Sequence, residues 1–126
     1  MVSNDKQSRF GFIRSFSYAL TGITIALRGE RNMRFHLYSS VVVLLISFYF
    51  SITKTEWLFI LVAIGGMFAL ELANTAIERI VDLVTEEYHP LAKQAKDLAA
   101  GAVLVYAILS VAIGIIIFLP YILKLG

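Results

Sequence analysis

The chain has no cysteine. That excludes disulfides, thiolate metal sites and thiol nucleophiles. Charge is scarce too: 16% of the residues are Asp, Glu, Lys or Arg, against about a quarter in a soluble domain. Proline occurs only at Pro90 and Pro120, so little interrupts long helices in the first two-thirds of the chain. The two histidines, His36 and His89, are far apart and form no spaced ligand pair; His36 reads as an interface anchor. Neither G-x-x-x-x-G-K-S/T nor G-x-G-x-x-G occurs, which removes the familiar phosphate-cradling loops. The N-terminal residues are mostly polar and lead to no small-residue cleavage site, so no signal peptide is expected. A net charge of +2 is too small to argue for nucleic acid as a partner.

What is present instead is apolar surface. Hydrophobic residues make up 59% of 126, which predicts one all-α integral membrane domain over residues 1–126. Arg14, Ser17, Thr21, Thr24 and Arg28 recur at helical spacing, with Ile13, Phe16, Leu20, Ile23 and Leu27 on the neighbouring face. That pattern predicts an amphipathic helix over residues 10–28 lying at a bilayer surface. "RGERNMR" (28–34) follows as a charged hinge. Three membrane helices are then expected over 37–52, 57–84 and 98–123. "TKTE" (53–56) reads as a polar turn, Trp57 as an interfacial residue, and Pro90 as a helix breaker within the charged segment 85–97. Residues 1–36 hold six of the eleven basic side chains: Lys6, Arg9, Arg14, Arg28, Arg31 and Arg34. Their position ahead of the first span places the N-terminus in the cytoplasm and the C-terminus outside. Three spans enclose little, so a homo-oligomer is expected.

The unusual stretch is "LELANTAIERIVDL" (70–83), which carries Glu71, Asn74, Glu78 and Asp82 into an apolar run. Glu71 and Glu78 lie two helical turns apart, on nearly one face and about 10 Å apart along the axis. Intramembrane ionisable groups in a stripe normally face a bundle interior or wet cavity and mark function. The bland alternative is an ion-pair seam or a solvated helix face, and Asp82 fits that better. Glu71, in "MFALELA", does not. Glu78 with Glu30 can hold magnesium through oxygen ligands alone. Glu71 can act as a general base toward a lipid-borne hydroxyl, and Lys96 supplies a point charge for phosphate. These are the parts of phosphoryl transfer to a lipid alcohol. A rival from another class is a small oligomeric ion or proton pathway using Glu71; it has no use for a polar loop such as "EYHPLAKQAKD" (87–97).

"ELANTAIERIVDLVTEEYHPLAKQAKD" (71–97) resembles the signature of the small bacterial membrane diacylglycerol kinase and undecaprenol kinase family. "ERNMRFH" (30–36) and "TEWL" (55–58) are similar to its undecaprenol kinase branch. The resemblance implies a homotrimer of three-span subunits that phosphorylates a lipid at the membrane–cytoplasm interface, with ATP and Mg²⁺. It implies Glu71 as proton acceptor, Glu30 and Glu78 as metal ligands that also meet ATP, and Asn74 as a polar residue of the same site. Tyr18, Glu87, Tyr88, His89, Lys96 and Asp97 fall at nucleotide-contacting positions; Asp97 also reads as a cap for the third span. An arginine that the family pattern expects falls on Gly11, with Arg9 and Arg14 as substitutes. Undecaprenol is the expected acceptor and diacylglycerol the alternative. The anticipated groove walls, Phe10, Phe12, Ile13, Phe16 and Ile23, offer apolar contact but no donors for ester carbonyls.

Overall fold

The computed structural model describes the backbone of residues 2–126 and the side chains from residue 7 onward. The side chains of Asp5 and Lys6, part of the N-terminal charge cluster, lie outside the described residues. Four helices follow one another: α1 (Val2–Gly29), α2 (Arg31–Tyr49), α3 (Lys54–Val84) and α4 (Pro90–Leu125). Helix α3 is central, its backbone approaching all three others and packing most extensively on α4.

The expected hinge over 28–34 is one residue long. Glu30 alone is extended, with φ −124° and ψ 125°. The chain can turn so sharply because Arg34 reaches back: its Nη1 donates to the carbonyls of Leu27 (3.3 Å) and Arg28 (2.8 Å). That satisfies the orphan carbonyls at the end of α1 and places a cation on its negative dipole end. The Glu30 carboxylate makes no cap for α2 and is free to turn toward α3.

Helix α2 ends at Tyr49, three residues short of the expected boundary, and Ser51 takes a left-handed conformation in the turn (φ 50°). Thr53 then caps α3 in a reciprocal box with Glu56, each side chain accepting from the other's backbone N–H (3.2 and 3.0 Å). "TKTE" is thus mostly helix start rather than turn. The Tyr121 hydroxyl donates to Glu56 at 2.5 Å and ties the end of α4 to the start of α3. Ile52, Ile60, Ile117 and Phe118 form the core at this end, with Phe50 and Trp57 against them. Midway along α3, Gly66 faces Tyr106 of α4: a Cβ there would overlap the tyrosine hydroxyl, which donates to the Val62 carbonyl at 2.6 Å.

Helix α4 begins at Pro90, well before the expected start at residue 98. Proline is favoured at the first helical position, where its missing N–H costs nothing, so Pro90 opens a helix instead of breaking one. His89 is the cap, its Nδ1 accepting from the Leu91 N–H at 3.1 Å. Asp97 therefore lies inside α4 and caps nothing.

Among the described residues, three helical segments are long and apolar enough to cross a membrane: Gln7–Gly29, Lys54–Val84 and Pro90–Leu125. They include the expected surface helix and omit the first expected span. Length and composition decide both outcomes. In α1, Thr21 and Thr24 of the polar stripe, and Ser15 beside it, donate to the carbonyls four residues back. Helix α2 has 19 residues and opens on the polar "RNMRFH". Large apolar side chains such as Val41, Leu45, Leu61, Leu104, Val105 and Ile116 are exposed along α2, α3 and α4. Water would not tolerate so much apolar surface; hydrocarbon solvates it.

Candidate active site

The single-residue break at Glu30 brings the start of α2 beside the semi-polar half of α3. Glu30, Arg31, Asn32, Glu71, Asn74 and Glu78 line one cavity of about 220 Å³. The helical stripe read from the sequence is real at three of its four positions, and Glu30 joins it from 41 residues before Glu71. Asp82 stands apart. It accepts from Lys96 at 2.6 Å, a structural pair between α3 and α4 rather than a seam with the N-terminal arginines.

Inside the cavity the polar groups hold one another. The Thr75 hydroxyl lies 2.7 Å from Glu30 Oε2 and 3.0 Å from the Glu71 carbonyl, so one donor is shared between two acceptors across two helices. Asn74 Nδ2 donates to Glu78 Oε1 at 3.3 Å. Glu71 is buried (4% exposed as a residue), and His36 Nε2 from α2 stands 3.3 Å from its Oε1. Sequence reasoning placed His36 at the membrane interface and found no basic group near Glu71. The partner was missed because it comes from another helix; no spacing rule links residues 36 and 71. Thr75 was missed too, although one turn from Glu71 on the same face is where a third polar group belongs.

The donor set suits a hard cation. Glu30 and Glu78 present carboxylates to the same space, and Asn74 Oδ1 is buried there without a hydrogen-bond partner. Magnesium is commonly held by one or two carboxylates, with phosphate and water completing its shell. Among the described residues no group of three acidic, histidine or cysteine side chains could hold a metal alone, so further ligands would have to come from a bound phosphate or water.

The residues at nucleotide-contacting positions are not drawn into the cavity. Tyr18 is 71% exposed on α1. Glu87, Tyr88 and His89 lie exposed in and beside the short connection 85–89. Lys96 is paired with Asp82. Asp97 accepts from Lys93 at 2.6 Å. Of the anticipated groove walls, Ile23 alone lines the apolar cavity of about 410 Å³ between α1 and α3, with Ala19, Gly22, Ala26 and Leu72 among its neighbours; Phe10, Phe12, Ile13 and Phe16 are exposed.

The prokaryotic diacylglycerol kinase family model matches residues 17–118, a stretch that contains every residue of this cavity. The chain is 50% identical over 121 residues to an undecaprenol kinase of Bacillus subtilis, covering 95% of this chain and 98% of that protein. It is 40% identical to a diacylglycerol kinase of Synechocystis over 88% of this chain and 64% of the other. A diacylglycerol kinase of Haemophilus influenzae is 30% identical over 74% and 79%. The chain belongs to the prokaryotic diacylglycerol kinase family and is a lipid kinase.

Proposed function

We propose that this protein transfers the γ-phosphoryl group of ATP to the hydroxyl of undecaprenol, giving undecaprenyl phosphate. The observation that carries the acceptor is the near end-to-end similarity to an undecaprenol kinase, 50% identity over 98% of that protein. The cavity supports the chemistry. Glu71 takes the proton of the lipid hydroxyl as its oxygen bonds to the γ-phosphorus, while the bond from that phosphorus to ADP breaks. Glu30 and Glu78, with the Asn74 amide oxygen, are the residues that would hold Mg²⁺. The cation would offset charge on the transferring phosphoryl group. Arg31, on the cavity wall, suits a phosphate oxygen.

The apolar cavity between α1 and α3 is the natural seat for the acceptor's hydrocarbon. Its polar groups are Thr75, whose hydroxyl is already engaged by Glu30, and Arg79. A polyprenol asks for no more than an apolar wall and a base. The direct test compares dispersed undecaprenol and diacylglycerol as acceptors for the purified protein with Mg-ATP. Undecaprenol is expected to show the higher kcat/KM; a clear preference for diacylglycerol would overturn the acceptor and leave the family standing.

The reading also sets a topology: α1 along the cytoplasmic surface, α2, α3 and α4 across the membrane. Helix α3 is about 46 Å long at 1.5 Å per residue, longer than the ~30 Å of bilayer hydrocarbon. With Trp57 at the outer interface, Glu78 falls near the inner boundary and Glu71 about two turns deeper. Cysteine introduced at Thr55 should label in intact cells and at Gln94 only after permeabilisation; labelling of Gln94 from outside would reverse the orientation. A homotrimer completes the reading, with the exposed apolar faces of the membrane helices available for subunit contact. A particle mass other than three chains in gentle detergent would remove that element.

A further inference from the structure

We propose that His36 is the positioning residue for Glu71, fixing its carboxylate for proton removal. The inference rests on Glu71 being the base. His36 Nε2 lies 3.3 Å from Glu71 Oε1, and the two side chains are 18% and 5% exposed. A carboxylate has no proton to give, so the neutral ring supplies the N–H of this contact. That bond holds one carboxylate oxygen and leaves the other to receive the hydroxyl proton.

The imidazole meets a second side chain: the Phe35 ring lies edge-on to it, with centroids 5.7 Å apart. The side chain also lines an apolar cavity of about 400 Å³ between α2, α3 and α4. His36 therefore stands at the wall between a polar cavity and an apolar one. There a carboxylate left to itself would be free to rotate.

Few charges compete for it. Helix α3 presents Glu71 and, farther along the polar cavity, Glu78; the α1–α2 junction presents Glu30 and Arg31 to that same cavity. Arg34, on its own helix, is engaged by the carbonyls that end α1. Helix α4 brings no charged group to the cavity His36 lines, only the Ser110 hydroxyl among polar side chains. Glu71 is therefore the charged group that the imidazole meets.

The test measures kcat and the KM for Mg-ATP for His36→Ala, His36→Gln and Glu71→Gln, with thermal stability of each. His36→Ala should lose about 10-fold or more in kcat, with KM for Mg-ATP unchanged. His36→Gln, which places an amide N–H near the Nε2 position, should recover most of that loss. Wild-type rates in both His36 variants beside an inactive Glu71→Gln would overturn the role of His36 and leave the base in place. A rate loss with no rescue by glutamine would overturn it too, leaving a packing role. A fully active Glu71→Gln would remove the base on which the inference rests.

Discussion

Replacing Glu71 by glutamine should lower kcat by about 10²-fold or more, while folding and the KM for ATP stay close to wild type. The magnitude follows from general-base catalysis, whose removal typically costs 10²–10⁴-fold. Retained folding follows from shape. Glutamine matches glutamate in volume, its amide oxygen can still accept from His36 Nε2, and its new N–H donors have the polar cavity that Glu71 lines, so the position gains no void. Only the ability to take a proton is lost. Single-turnover phosphorylation of dispersed undecaprenol, beside equilibrium ATP binding, separates the two effects. Near-wild-type turnover would take Glu71 out of the reaction, and the buried carboxylate would then need another explanation.

That Glu71 is singular was legible in the sequence, because a charge seven residues before another in an apolar run has few readings. The helical repeat alone put Glu71, Asn74 and Glu78 on one face, and the cavity collects all three. Number and class of helices were equally legible, since hydrophobic runs are local signals. Legibility ended where a residue's meaning depends on a second helix. Arg34 read as one charge in a hinge, yet it ends α1 and reduces the hinge to Glu30. Pro90 read as a breaker because the cap before it, His89, carries no obvious helix-start signature. His36 and Thr75 looked ordinary until packing placed them on Glu71 and Glu30. Tyr18, Glu87, Tyr88, His89 and Asp97 came to the nucleotide from family resemblance, not from local physics, and for Lys96 the only local signal was its charge. In the folded chain they lie outside the polar cavity, so their contact with nucleotide rests on that resemblance.

Glu30 and Glu78 should behave as one magnesium site, although 47 residues separate them in the chain. Their convergence has a mechanical cause. Arg34 closes the end of α1, Glu30 is left extended, and Thr75 of α3 draws its carboxylate inward at 2.7 Å. Glu78 is steadied by Asn74 from one turn earlier, which leaves the Asn74 carbonyl oxygen buried without a partner. An unpaired buried acceptor costs roughly 1–3 kcal/mol, a cost that a bound cation would remove. Glu30→Gln and Glu78→Gln should each raise the magnesium concentration for half-maximal rate by about 10-fold, as charge-assisted ligands are lost. The double variant should be little worse than either single one, because groups that serve one ion are not additive. Glu71→Gln should leave the magnesium requirement unchanged, which keeps the base and the metal site separable. Magnesium titrations of initial rate for the three variants and the double decide it. Strictly additive effects of Glu30 and Glu78, or a requirement that moves with only one of them, would break the shared site.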